Sequence, residues 1–212
     1  MKTVAICDDH KIVREGLKQI IQTFDGFDVV LEAESGEQLI SRLREQQVNI
    51  LILDVSLPGR SGLEVLKQVR SLYPDMKVLV LSMYPEDQFA IRMLKAGAVG
   101  YLHKDSAPDV LHGALQIVGN GGEYLSPKIT RLLYKEMNGE TGDLPHKKLS
   151  DREYEVLLYI GEGKSLSEIA NQLSLSVKTI STYRTRILEK MGLDNNSDLI
   201  KYIMLHDLAV GT

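Results

Sequence analysis

Within the first 121 residues, short runs of apolar, largely β-branched positions alternate five times with stretches in which apolar residues return every three or four places. The pairs are TVAIC with HKIVREGLKQIIQTF, VVLEA with GEQLISRLREQ, NILILD with GLEVLKQVRSLY, KVLVLS with EDQFAIRMLKAG, and VGYLH with APDVLHGALQIV. Short apolar runs build strands and the 3.6-residue period builds helices, so five βα units are expected. Strands that read apolar throughout are covered on both faces, which points to a parallel sheet wrapped by right-handed crossovers. The expected fold class is α/β, a doubly wound five-stranded parallel sheet, here taken in the common order 2-1-3-4-5, followed by a smaller all-α helix-turn-helix domain.

From residue 122 the β signal stops. A short amphipathic stretch around Ile129 to Met137 leads into residues 138–145, rich in Gly, Glu, Asp and Pro, which read as a linker. Beyond it every pattern is helical. Ser150 with Glu153 and Ser165 with Glu168 are spaced as capping boxes that tie off the free N–H groups of a helix start. Helices are expected over roughly 151–161, 166–173, 177–191 and 197–206. The domain boundaries drawn are 1–121, 122–147 and 148–212.

Composition refines this picture only at its margins. With 43% hydrophobic and 25% charged residues, the 212-residue chain is that of a globular protein with real cores. Its net charge of -4 argues against coating nucleic acid or membrane by bulk charge, so any polyanion contact must be local. The single cysteine, Cys7, lies in an apolar run and cannot form an internal disulfide, which favours a reducing compartment. No apolar run approaches a membrane span and no signal core opens the chain, so a soluble, cytoplasmic protein without membrane contact is expected.

Open α/β sheets carry their chemistry beyond the carboxyl ends of the strands. Read in order, those ends hold Asp8 and Asp9, then Asp54, Ser82 and Lys104. With the first and third strands as neighbours, three carboxylates converge. Like charges that close raise one another's pKa unless a cation sits among them, and an oxygen-only pocket with room for water and phosphate oxygens suits Mg²⁺. A lone aspartate before a turn is ordinarily a cap or turn former. Capping does not explain such groups at the same end of four βα units. The set fits a carboxylate nucleophile, Asp54, that accepts a phosphoryl group, with Lys104 neutralising charge and Ser82 donating a hydrogen bond.

Through these residues the first 121 or so positions resemble the receiver domain of a two-component response regulator: Asp8-Asp9, Asp54 followed by Pro58 and Gly62, Ser82, and Lys104 followed by Asp105. The resemblance implies that Asp54 is the phosphorylation site, that Asp9, Asp54 and the backbone carbonyl of Ser56 bind Mg²⁺ directly, and that Asp8 holds it through water. It also implies a switch pair, Ser82 and Tyr101, in which the hydroxyl moves toward the phosphoryl group and the ring rotates inward behind it. Many receivers carry threonine where this chain has Ser82, and either supplies a hydroxyl. His10, His103, His112, His146 and His206 never fall at metal-ligand spacing and are expected as surface or half-buried residues. The resemblance implies that the phosphodonor histidine belongs to a partner kinase.

Residues 166–190, LSEIANQLSLSVKTISTYRTRILEK, pair a short helix, a break at SLS and a longer helix, as a helix-turn-helix does. On the longer helix Ile180, Tyr183, Ile187, Leu188 and Met191 share an apolar stripe. The opposite side shows Lys178, Ser181, Thr182, Thr185 and Glu189, flanked by Arg184 and Arg186. Short donors in the centre suit base edges and the cations suit phosphates, although a solvated face of a small bundle gives a similar charge pattern. Residues 148–212 resemble the LuxR-type helix-turn-helix domain of the NarL/FixJ class of response regulators, through Leu149, Arg152, Glu153, Gly163, Glu168-Ile169-Ala170, Leu173, Ser176, Lys178-Thr179-Ile180 and Lys190. Tyr183 stands where histidine is frequent. The expected DNA contacts are Lys178, Thr179, Ser181, Thr182, Arg184, Thr185 and Arg186.

The expected function is a phosphorylation-switched transcription regulator rather than an enzyme. A sensor histidine kinase would phosphorylate it, and a homodimer would bind double-stranded promoter DNA, with the stripe of SDLIKYIML available for pairing. The resemblance implies that the unphosphorylated receiver can also cover the recognition helix. Two alternatives stand beside it: an aspartyl-phosphate hydrolase, which usually needs an acidic group where this chain has Ser56, and a receiver whose helical tail no longer binds DNA.

Overall fold

The computed structural model describes residues 1–139, 144–206 and 208. The chain divides into two compact units, Met1–Tyr134 and Lys135–Thr212. In the first, the strands are β1 (Lys2–Cys7), β2 (Phe27–Ala33), β3 (Ile50–Asp54), β4 (Lys77–Ser82) and β5 (Gly100–His103). They alternate with α1 (Lys11–Gln22), α2 (Gly36–Arg42), α3 (Gly62–Leu72), α4 (Glu86–Lys95) and α5 (Ala107–Gly119). The sheet is parallel throughout, as its apolar runs predict, and its strand order is β2-β1-β3-β4-β5, the one expected.

One face of the sheet presents Val4, Ile6, Ile50, Ile52, Leu79 and Leu81 to Leu17 and Ile21 of α1 and to Leu111 and Leu115 of α5. The alternate positions Ala5, Cys7, Leu51, Leu53, Val78 and Val80 are equally buried and point to the opposite face. Desolvation drives the Cys7 thiol far above its ordinary range, so it behaves as core filling. Helix α2 ends at Arg42, short of the stretch drawn from sequence, because Arg44, Glu45, Gln46 and Gln47 offer no apolar side chain to carry its buried face further.

Helix α6 (Pro127–Met137) follows, and the boundary between the units falls inside it. Of the expected linker 138–145, residues 140–143 lie outside the described residues. The second unit is helical: α7 (Asp151–Gly161), α8 (Leu166–Gln172), α9 (Val177–Met191) and α10 (Asn196–Leu205). Both predicted capping boxes form, at Ser150–Glu153 and Ser165–Glu168. The break between α8 and α9 passes through Ser174 at φ 53°, and α9 ends on left-handed Gly192. Ile169, Ile180, Ile187, Leu199 and Ile203 are buried in this unit.

Candidate functional site

Each strand of the sheet delivers its last residues to one edge, and there the expected side chains meet. Asp54 closes β3 and Asp8 follows β1, its neighbour; both are buried, at 2% and 1% exposure. Lys104 follows β5 and reaches across: its Nζ lies 2.8 Å from Asp54 Oδ2, to which it donates a hydrogen bond, and 2.7 Å from Asp8 Oδ2. The second contact is an ion pair outside hydrogen-bond geometry, so buried Asp8 Oδ2 accepts no hydrogen bond among the described residues. The other oxygens are held by the backbone: the Ser56 N–H donates to Asp54 Oδ1 and the His10 N–H to Asp8 Oδ1. Arg14 donates to the Asp8 carbonyl at 2.6 Å and fixes the turn from which Asp8 and Asp9 project.

The Pro58 to Gly62 turn has a steric reason. The Gly62 N–H donates to the Val55 carbonyl, and the Gly62 Cα lies so close beneath Asp54 that a Cβ there would stand 2.2 Å from the Asp54 carbonyl oxygen. Ser61 caps α3 through a box with Glu64, so the helix starts directly below the carboxylate.

Charge within the pocket is balanced unevenly. Burial pushes the Asp54 carboxyl up, Asp8 pushes it further, and Lys104 with the Ser56 N–H offsets only part, leaving it at about 6. Burial works against the Lys104 ammonium, but Asp54 and Asp8 outweigh it and hold the group above its usual value. Asp8, Asp9, His10 and Asp54 each offer a ligand atom, all within 4.8 Å of one another. Ligands on opposite sides of a Mg²⁺ ion stand about 4.2 Å apart, so an oxygen-rich carboxylate set of about this span fits such an ion. His10 is exposed as expected, yet its Nδ1 lies 2.8 Å from Asp9 Oδ1. Spacing between histidines gave no hint of this; adjacency to two aspartates was the available signal.

Ser82 and Tyr101 meet on a residue the sequence did not single out for this. The Tyr84 N–H donates to Ser82 Oγ at 3.0 Å, and the Tyr101 hydroxyl donates to the Tyr84 carbonyl at 2.7 Å. Tyr101 is fully buried, so its ring lies inward in this structure.

In the second unit, Ser176, Lys178, Thr179, Thr182, Tyr183 and Arg186 line a shallow cleft of about 310 Å³ on α9. Thr185 is exposed and Ser181 half-buried on the same helix. The Thr182 and Thr185 hydroxyls donate to the carbonyls of Lys178 and Ser181, four residues back, leaving lone pairs outward. Two cations of the helix are engaged within the unit. Arg184 Nε donates to Asn196 Oδ1 of α10, and Lys190, counted from sequence as part of the matching pattern, pairs with Glu153 at 2.6 Å. Burial opposes charge on Glu153, but the Lys190 ammonium together with the Ser150 N–H and hydroxyl overcomes it and holds the carboxyl below its ordinary value. Among the described residues, the free positive face of α9 therefore reduces to Lys178 and Arg186.

Residues 4–116 match the family described as response regulator receiver domain, and residues 147–203 match bacterial regulatory proteins, luxR family. The response regulator GacA of Pseudomonas protegens is 35% identical over 99% of this chain and 98% of its own length. The response regulator UvrY of Escherichia coli is 32% identical over 99% of this chain and 96% of its own. Among solved structures, RcsB of Salmonella enterica serovar Typhimurium, bound to promoter P1flhDC in the presence of the phosphomimetic BeF3-, covers 95% of this chain and 98% of its own at 31% identity and a TM-score of 0.68. A structure of two RcsB dimers bound to two parallel DNAs covers 96% of this chain and 98% of its own, at 30% identity and a TM-score of 0.60.

Proposed function

Because this chain belongs to the NarL/FixJ-class response regulators, which join a receiver domain to a LuxR-type helix-turn-helix domain and are regulators rather than enzymes, we propose that it is switched by phosphorylation of Asp54 and answers by binding promoter DNA as a dimer. The observation that carries this is the Asp54 carboxylate, buried at a strand end and met at 2.8 Å by the ammonium of Lys104.

The phosphodonor is a phosphohistidine on a sensor histidine kinase. A carboxylate oxygen of Asp54 attacks phosphorus, the P–N bond breaks with its electron pair leaving on the imidazole, and an acyl phosphate remains. Lys104 meets the added negative charge from the side already occupied by Asp8 and Asp54. Asp8, Asp9 and Asp54, with the carbonyl of Ser56, would hold Mg²⁺, which would supply positive charge to offset that of the phosphoryl group. Ser82 then turns its hydroxyl from the Tyr84 N–H to the phosphoryl group. Receiver boundaries of 1–121 and a DNA-binding domain of 148–212 serve this reading, as does action in the cytoplasm, where promoter DNA lies.

On DNA, Lys178 and Arg186 neutralise phosphates while Thr179, Ser181, Thr182 and Thr185 face base edges. Arg184 needs to leave Asn196 before it can join them. One such helix reads few base pairs, so two copies on paired half-sites supply the affinity. Incubation with acetyl phosphate and Mg²⁺ tests the acceptor: one phosphate per chain is expected, and none after Asp54→Ala. Unchanged incorporation in the variant refutes the assignment.

A further inference from the structure

We propose that the start of α6 is a latch that reads the position of α4 and releases when the receiver is phosphorylated; this rests on the phosphorylation of Asp54 argued above. The latch has two sides. On one, Ser126 caps α6: its Oγ accepts the Ile129 N–H at 3.1 Å and donates its own proton to Glu86 Oε2, in the first turn of α4, at 2.7 Å. Beside it Lys128 pairs with Asp87, the next residue of that turn, at 3.1 Å. The ion pair is half exposed and weak, whereas the hydrogen bond to a carboxylate is charge-assisted and half-buried.

The two sides are fastened in different ways. The α6 side is tied to the sheet, because the Tyr124 N–H donates to the Val99 carbonyl at 2.8 Å and Tyr124 bridges Gly100 at the edge of β5. Helix α4 packs on β5 and buries Phe89, Ala90 and Met93, but its first turn, which holds Glu86 and Asp87, continues directly from the Met83–Pro85 loop. That loop is held from both ends of Tyr84, by Ser82 at its N–H and by Tyr101 at its carbonyl. When the Ser82 hydroxyl turns to a phosphoryl group, the Tyr84 N–H loses its acceptor while Tyr101 keeps the carbonyl. The loop re-seats, carrying Glu86 and Asp87 with it, and the sheet-anchored Ser126 cannot follow. A change of one hydroxyl at the carboxylate site is thereby delivered to the helix that leads out of the receiver.

The substitutions that test this keep the helix cap. Asp and Asn both cap as well as Ser, but an aspartate at 126 has no proton for Glu86 and repels it, whereas an asparagine amide can still donate. Hydrogen exchange of the full chain is read by mass spectrometry over residues 126–134, with and without acetyl phosphate and Mg²⁺, and phosphate on Asp54 is counted in the same samples. In the wild type, exchange should rise about ten- to a hundredfold on phosphorylation, the scale of releasing one charge-assisted hydrogen bond. Ser126→Asp and Glu86→Ala should show that faster exchange without phosphate and change little on adding it, while Ser126→Asn should behave as wild type. Full phosphorylation with unchanged exchange overturns the latch alone, as does a Ser126→Asp protein as protected as wild type. Absence of phosphate on Asp54 in the wild type overturns the reading beneath it.

Discussion

A Cβ at Gly62 would stand 2.2 Å from the carbonyl oxygen of Asp54 and 2.7 Å from the Cα of Val55, so α3 can begin beneath the candidate phosphoacceptor only if residue 62 has no side chain. Both obstacles are backbone and neither can swing aside. Gly62→Ala is therefore expected to destabilise the receiver by about 1–3 kcal/mol and to displace Asp54. Urea unfolding reads the first effect and acetyl phosphate labelling the second. A variant as stable and as readily labelled as the wild type removes the close approach from the account of the site.

Asp54 lies at about 6 in the folded protein against an ordinary 3.8, chiefly through burial and then through Asp8. A carboxyl that holds its proton more tightly when folded favours folding below 3.8, and that contribution is lost as pH rises toward 6. At neutral pH the charged carboxylate then costs stability, with a ceiling of about 3 kcal/mol. Without divalent ions, Asp54→Asn should be the more stable protein at pH 7, and the difference should shrink toward pH 4. Adding MgCl2 should stabilise the wild type and leave Asp54→Asn nearly unchanged. Denaturant midpoints from pH 4 to 8, with chelator and with MgCl2, decide this; a variant no more stable at pH 7 contradicts the uneven balance of charge.

What the sequence made legible followed from periodicity and topology. Strands that read apolar throughout announced a parallel sheet, and the strand order alone brought Asp8, Asp54 and Lys104 to one edge. Capping boxes at Ser150 and Ser165 appeared where their spacing put them. Other relationships escaped because they are made by backbone groups or across long separations. Tyr84 matters through its N–H and carbonyl, which side-chain identity does not report. The pairing of Lys190 with Glu153 spans 37 residues, so the local charge pattern of α9 does not report that Lys190 is engaged within the unit.

That pairing has its own signature. Glu153 is held below its ordinary 4.5, mainly by Lys190 and Ser150 acting against burial, so its contribution to stability is present above 4.5 and lost as pH falls through the lowered value. Lys190→Ala should lower the stability of the second unit by about 1 kcal/mol at pH 7, since the ammonium end of the pair reaches water. Below the carboxyl's range the variant and the wild type should converge. Thermal unfolding followed from pH 7 downward checks both statements, and a deficit that does not shrink at any pH below 4.5 at which the fold survives removes the ion pair as the cause.

The same division of charge predicts which cations DNA feels. Each lysine or arginine that neutralises a phosphate releases counterions, and its removal lowers the slope of log affinity against log salt by about one. Lys178 and Arg186 line the open cleft of α9, so Lys178→Ala and Arg186→Ala should each weaken binding to every duplex and flatten the salt dependence by that amount. Thr182 carries no charge. Thr182→Ala should leave the salt slope intact and relax the preference among bases at one position by about 1–3 kcal/mol, provided the hydroxyl's outward lone pairs meet a base edge. Lys190 is engaged by Glu153, so Lys190→Ala should keep the wild-type slope at temperatures where it remains folded. Fluorescence anisotropy on promoter fragments across a NaCl series separates these behaviours. If Lys190→Ala flattened the slope as Lys178→Ala does, the ion pair would open on DNA and the phosphate-binding surface would extend along the whole helix.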